Sequence, residues 1–192
     1  MIDWDTLSPL TAITHLDGRN ASKLIVLKSY FSEFAWMQMR LRVMVKYAIA
    51  LASAHGKVHL TVTQDRQCTS LYDSFSLRDA QEVVAIERTV NHDLKALELY
   101  LVSSLKRRGL LRLIPYINLG LGSEDINSMA FALLLSGSRH DVVMGALKKI
   151  AKSLMELAYA QRATVMIGRT HARPANVTTF GKEIANTLSR LS

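Results

Sequence analysis

Cysteine is nearly absent. Cys68 stands alone in 192 residues, which excludes a disulfide scaffold or a multi-cysteine zinc cluster and fits a reducing compartment. Proline (three) and glycine (nine) are scarce, so collagen-like and low-complexity classes fall away. No apolar run approaches the roughly 18 residues that a spanning helix needs. The opening MIDWDTLSPL has neither a basic n-region nor an apolar h-region. A soluble, cytoplasmic protein that engages no membrane is the expectation. The sequence also holds no P-loop, no GxGxxG, no Gly-x-Ser-x-Gly and no HExxH, which removes the main support for nucleotide-hydrolase, Rossmann, serine-hydrolase and zinc-protease chemistry.

What is present is a globular composition, 49% hydrophobic and 21% charged, with 24 Lys+Arg against 16 Asp+Glu and a net charge of +8. That excess points to an anionic partner without choosing one. The basic residues are spread along the chain apart from Lys106-Arg107-Arg108, and they are not interleaved with aromatics. A nucleic-acid platform is therefore not expected.

Apolar spacing of three and four predicts a mostly helical chain. One stripe runs from about Ser22 to Ala54 through Leu24, Leu27, Phe34, Met37, Leu41, Met44, Ala48 and Leu51, with Gly56 as its stop. A second helix starts after Ser76, where Ser-Leu-Arg-Asp resembles a capping box, and runs to about Arg88. Val90-Asn91-His92-Asp93 reads as a break before a helix that ends near Gly109, and Pro115 marks a turn. Ser123-Glu124-Asp125 offers an N-cap with two acidic residues in the first turn of a long helix to about Arg162, interrupted at Gly137 and Gly145. Thr164–Ile167 is β-rich and leads into a polar loop over 168–176. Thr178 or Thr179 caps a last helix, which stops at Ser192.

Among the six histidines, His55 and His59 are four apart but have Gly56 between them and no third ligand nearby in sequence, which reads as a surface pair. His92 sits between Asn91 and Asp93, a cluster that can orient an imidazole toward a polar ligand or simply cap a helix. His171 lies between Arg169 and Arg173 just before a helix N-terminus, a setting that suits an acid or base acting on an anion. Ser123 can cap its helix or offer a hydroxyl to a carboxylate or phosphate.

Taken in order, these blocks resemble the adenylosuccinate lyase family of the fumarase/aspartase superfamily. Ser8–Ile13 and Leu16-Asp17-Gly18-Arg19 look like the family's opening, and Phe31-Ser32-Glu33 like the start of its first long helix. Ile86–Ala96 is close to the family's Ile-Glu-Arg-Thr-Thr-Asn-His-Asp block. Ser123–Asn127 resembles its Thr-Ser-Glu-Asp-Ile-Asn, and Arg169-Thr170-His171 with Gly181–Asn186 resembles its catalytic-histidine block. The resemblance spans essentially the whole chain, although family chains run to more than twice this length.

The resemblance implies an all-α fold: an N-terminal helical domain over 1–112, then the first part of a long-helix bundle over 113–192, incomplete at its C-terminus. It implies β-elimination from a succinyl-amino purine nucleotide with release of fumarate, without cofactor or metal. His171 would be the acid that protonates the departing nitrogen. His92, with Asn91 and Asp93, would position the substrate, Arg19 would contact its phosphate and Ser123 a succinyl carboxylate. Thr170, Arg173, Asn20 and Gly122 occupy further substrate-binding positions. Asn20 stands where the family usually has Tyr, Gly122 where it has Thr, Ala172-Arg173 where it has Gly-Gln, and Phe131 where His is common. Family sites are assembled from three subunits of a homotetramer. The mobile loop Gly-Ser-Ser-x-Met-Pro-x-Lys, which supplies the proton-abstracting serine, has no match in these 192 residues. A non-catalytic truncated paralogue, acting as a binding or oligomerisation module, is the alternative.

Overall fold

The stripe over 22–54 folds in pieces. In the computed structural model, which describes residues 8–56 and 58–191, 3-10 turns cover Ala21–Lys23 and Ile25–Leu27. A single turn, α1, covers Lys28–Phe31, and α2 covers Glu33–Ala54. The break falls at Ser32, whose backbone is extended (ψ 159°) and whose hydroxyl accepts the Ala35 N–H at 3.2 Å. N-cap chemistry thus interrupts a stripe that apolar spacing alone runs straight through.

Helix α3, Val62–Asp73, is an element that the sequence reading missed. It starts with a complete capping box, in which the Thr61 hydroxyl accepts the Gln64 N–H and the Gln64 side chain accepts the Thr61 N–H. Helix α4, Leu77–Val90, has the expected box between Ser76 and Asp79 and runs two residues past Arg88. Helix α5 covers Asp93–Arg107, and Pro115 lies within a 3-10 turn, Leu111–Tyr116.

The core of this part sits where α2 meets α3, α4 and α5. Leu41, Met44, Cys68, Leu97 and Leu101 have no exposed surface, and each large apolar side chain buried there is worth about 1.5–3 kcal/mol. Burial, followed by the Asp65 charge, pushes the Cys68 thiol up to about 11, so it behaves as a small hydrophobe. Tyr100 on α5 donates to Asp79 at the start of α4 (2.8 Å). Burial and that bond push its hydroxyl up to about 12. Helix α6 covers Ser123–Ser138 and adds Ile126, Ala130 and Leu134 to the buried set.

By density of contacts the chain divides into two units, Met1–Gly137 and Ser138–Ser192. The second opens with a π-helical turn, Arg139–Val143, between the two glycines expected to interrupt the helix, and continues as α7, Met144–Ala160. The expected polar loop over 168–176 is in fact half of a β-hairpin. Strand β1, Val165–Thr170, pairs antiparallel with β2, Arg173–Thr179, with a bulge between Ile167 and Arg169. A Cβ on the bulge residue Gly168 would come within 2.9 Å of the Asn176 carbonyl, which accounts for glycine there. Thr179 caps α8, Phe180–Ser189, by accepting the Lys182 N–H at 3.3 Å. The helix closes on Arg190, and its expected stop at Ser192 lies outside the described residues. Among the described residues the architecture is helical with one two-stranded sheet. Among the described residues no helix is long and apolar enough to cross a membrane.

Candidate active site

In the first unit, the turn between α4 and α5 holds Asn91, His92 and Asp93. Asn91 ends α4 in the left-handed region (φ 52°) with its N–H on the Glu87 carbonyl at 2.7 Å, a conformation that asparagine tolerates better than most residues. His92 is the N-cap of α5: its Nδ1 accepts the Lys95 N–H at 3.2 Å. Asp93 follows in the first helical turn, where the helix dipole favours an anion. Its Oδ1 accepts the Leu94 N–H at 2.7 Å, and its Oδ2 accepts from Arg40 at 2.6 Å. Burial raises the Asp93 carboxyl, but the Arg40 bond, the Leu94 N–H and the charges of Arg40 and His92 outweigh it, so the group sits below its ordinary value.

A cleft of about 370 Å³ opens beside this turn, and His92, Lys95, Glu98, Asn118, Gly122 and Ser123 are among its lining. Two stretches expected to share substrate contacts, His92 and Gly122-Ser123, therefore meet in one place. Helix α6 begins at Ser123 itself. The Asp125 carboxylate accepts the Gly122 N–H at 2.7 Å, and among the described residues the Ser123 hydroxyl has no hydrogen-bond partner. It is free to meet a ligand, where the sequence also allowed it a capping role.

Glu98 and Asn118, together with Arg40, are residues the sequence reading missed. Glu98 pairs with Lys95 at 2.6 Å and its other oxygen accepts from Asn118 at 3.2 Å. Asn118 sits at φ +56°, and its side-chain oxygen Oδ1 is buried without a partner, an arrangement that calls for an incoming donor or an ordered water. The Lys95–Glu98 spacing of three was the available signal for the pair. Asn118, in an irregular Ile-Asn-Leu-Gly stretch, gave none.

In the second unit, His171 and Ala172 form the two-residue tip of the hairpin. Thr170 and Arg173 are paired across it, and both tip residues have positive φ, 49° and 61°. That is the type I′ geometry in which glycine or asparagine is usual. Arg169, Thr170, His171 and Arg173 are all exposed, and among the described residues none of their side chains makes a hydrogen bond. The tip thus presents an imidazole flanked by two guanidinium groups. Ala172 carries the strain of a left-handed alanine, so Ala172→Gly is expected to stabilise the fold by about 0.5–1 kcal/mol. A rise in the urea midpoint with an unchanged slope checks this.

Near the start of the described chain Arg19 is exposed, with no side-chain partner among the described residues. Asn20 donates to the His15 carbonyl at 3.0 Å, and Asp17 is held by Thr14. Gly18 is buried so tightly that a Cβ would meet the Thr14 and Pro9 carbonyls at 2.8 and 3.0 Å.

The sequence profile of the lyase family matches residues 23–192. The chain belongs to this lyase family. Among its relatives, the adenylosuccinate lyase of Haemophilus influenzae is 35% identical over 190 residues, covering 96% of this chain and 41% of that protein. The adenylosuccinate lyase of Escherichia coli K12 is 34% identical, with the same coverage of both chains. The chain therefore spans about two fifths of the length of the curated relatives it matches. Among solved structures, the fumarate lyase from Mesorhizobium sp. BNC1 superposes with a TM-score of 0.67 at 22% identity, over 87% of this chain and 37% of that one. The 3-carboxy-cis,cis-muconate lactonizing enzyme of Pseudomonas putida gives 0.64 at 22% identity, with the same coverage. These likenesses place the lyase chain in the fold of the fumarase/aspartase superfamily, as its blocks imply.

Proposed function

We propose that this lyase-family chain serves a β-elimination that breaks a C–N bond in a succinyl-amino purine nucleotide. Adenylosuccinate would yield fumarate and AMP, and the succinyl-aminoimidazole carboxamide ribotide of purine biosynthesis would be cleaved in the same way. The observation that carries the proposal is the cleft in which His92 and the unpartnered Ser123 hydroxyl meet beside a helix N-terminus. That place combines two hydrogen-bonding side chains with a dipole end, and a succinyl carboxylate is the group it suits.

The chemistry divides among the chain's own residues. The cleft holds the carboxylate on which charge develops as the neighbouring carbon loses its proton, and fixed donors there stabilise that charge without reorganising. His171, on its exposed tip, protonates the departing nitrogen as general acid. Arg169 and Arg173 attract the substrate's phosphate and carboxylates, and Thr170, Arg19 and Asn20 contribute further polar contacts. The proton-abstracting serine lies on the family's mobile loop, which these 192 residues do not contain. The same proposal divides the chain at 112/113 into an N-terminal domain and the first part of the central bundle. That boundary follows the family's plan, whereas the units described above follow contact density. A homotetrameric assembly in the cytoplasm belongs to the proposal as well.

Titration with adenylosuccinate tests it. Binding is expected to be tighter than that of AMP and to perturb the resonances of His92 and Ser123; an absence of binding overturns the proposal. Any fumarate release, followed by absorbance, is expected to fall by about a hundredfold or more in His171→Ala. Release that survives the substitution removes His171 as the acid.

A further inference from the structure

We infer that Arg40 is a positioning residue that decides which ring nitrogen of His92 carries the proton. Arg40 rises from α2, is 1% exposed, and reaches across to the start of α5, where its guanidinium holds Asp93 Oδ2 at 2.6 Å. It is not among the residues that line the cleft. The guanidinium also lies over the Trp36 ring, 4.9 Å from its centroid, and 3.9 Å from the Glu33 carboxylate.

Two groups compete for one ring nitrogen of His92. His92 Nδ1 accepts the Lys95 N–H, so in the neutral ring the proton sits on Nε2, which is left as a donor on a side chain lining the cleft. The Asp93 carboxylate lies only 3.6 Å from the same Nδ1. That is too long for a hydrogen bond as it stands, yet a carboxylate free to turn and close that gap would take a proton on Nδ1. Carboxylate partners commonly fix histidine tautomers in this way. In this structure the oxygen nearer Nδ1, Oδ1, accepts the Leu94 N–H, and Arg40 grips the other, Oδ2, which keeps the carboxylate from turning toward the ring. With its competitor engaged, Nδ1 stays an acceptor and Nε2–H stays the donor. Reversal of the tautomer would turn His92 from donor to acceptor and repel the carboxylate that the cleft is proposed to bind. That functional consequence rests on the reading of the cleft given above, whereas the tautomer itself does not.

The test is made on the full chain labelled with nitrogen-15, without ligand, at a pH where the His92 ring is neutral. Two-bond proton–nitrogen correlations distinguish the tautomers. Nε2–H is expected to predominate in the parent and to lose its majority in Arg40→Met, while circular dichroism and the other histidines stay unchanged. The double variant R40M/D93N removes the competing charge as well and leaves no buried charge to disturb folding; Nε2–H is expected to return in it. If R40M does not fold, Arg40→Leu, which likewise removes the charge paired with Asp93, takes its place in the comparison. An Nδ1–H ring in the parent overturns the inference, as does one tautomer common to the parent, the single variant and the double variant. Failure to bind adenylosuccinate with the Nε2–H ring intact instead overturns the function proposed for the cleft.

Discussion

Replacement of Gly181 by alanine is expected to destabilise the second unit by about 3 kcal/mol, at the upper end of ordinary overpacking. The added Cβ would lie 2.4 Å from the Ala158 carbonyl oxygen and 2.7 Å from both Cα and N of Arg162. All three are backbone atoms, so no side chain can swing aside to make room. The place is further pinned by backbone bonds, Gly181 N–H to the Gln161 carbonyl at 3.0 Å and Phe180 N–H to the Thr164 carbonyl at 2.9 Å. Relief therefore requires the start of α8 to part from the end of α7. Little apolar burial is available to offset that loss, since Ile184 is the only large hydrophobic side chain of this unit counted as buried among the described residues. Urea unfolding and amide exchange over α7 and α8 provide the measurement, with exposed Lys182→Ala as a control expected within about 0.5 kcal/mol of the parent. A cost for Gly181→Ala no larger than the control's would mean that α8 does not sit this close to α7.

Gly181 also shows what a sequence conceals. Its place in a family block was visible, but a glycine one residue into a helix carries no mark of the backbone packed against it. The legible elements were those whose signal is local. The Ser76–Asp79 box, the break at Asn91-His92-Asp93 and the Thr179 cap each depend on residues within four positions of one another. The Thr61–Gln64 box is equally local, yet α3 went unread because Val62, Cys68, Leu71 and Tyr72 make only a thin apolar stripe. Strand β2 was hidden for another reason. Pro174, Asn176 and three exposed neighbours look like a loop, and the hairpin tip lacks the glycine or asparagine that announces a type I′ turn.

The candidate site divides along the same line. Asn91, His92, Asp93 and Ser123 were readable because their chemistry sits in short contiguous runs. Arg40 lies 53 positions before its partner, on a helix where an arginine between apolar neighbours reads as a residue turned to solvent. Only the crossing of α2 with the start of α5 shows it to be buried. Glu98 and Asn118 are 20 positions apart and face one another through an irregular stretch with no periodicity to read. Long-range pairing of polar side chains is a product of the tertiary fold, and no local pattern encodes it.

Loss of Asp93 is expected to cost more than loss of Arg40, although both break the same pair. The Asp93 side chain is 51% exposed and Arg40 is 1% exposed. In Arg40→Met a half-exposed carboxylate keeps its Leu94 N–H and regains water, while a methionine fills the apolar space; about 1 kcal/mol is the expected cost. In Asp93→Ala the guanidinium stays buried, with Nε already unpartnered and the Trp36 ring and a 70% exposed Glu33 at 3.9 Å as the partners left to offset its charge. The expected cost is about 3 kcal/mol, the low end for an uncompensated buried charge because the pair lies partly in water. Acid supplies an independent check. The Asp93 carboxyl is held below its ordinary 3.8 in the fold, so its contribution is fully present above that pH and is lost as the pH falls through the lower folded value. Protonation then leaves Arg40 uncompensated just as the alanine does. The stability gap between the parent and Asp93→Ala is therefore expected to be widest at neutral pH and to shrink below about pH 3.8, as read from urea midpoints at both conditions. A gap that persists unchanged in acid, or an Arg40→Met variant less stable than Asp93→Ala, would show that packing around the guanidinium holds this turn in place, with the charge pair adding little.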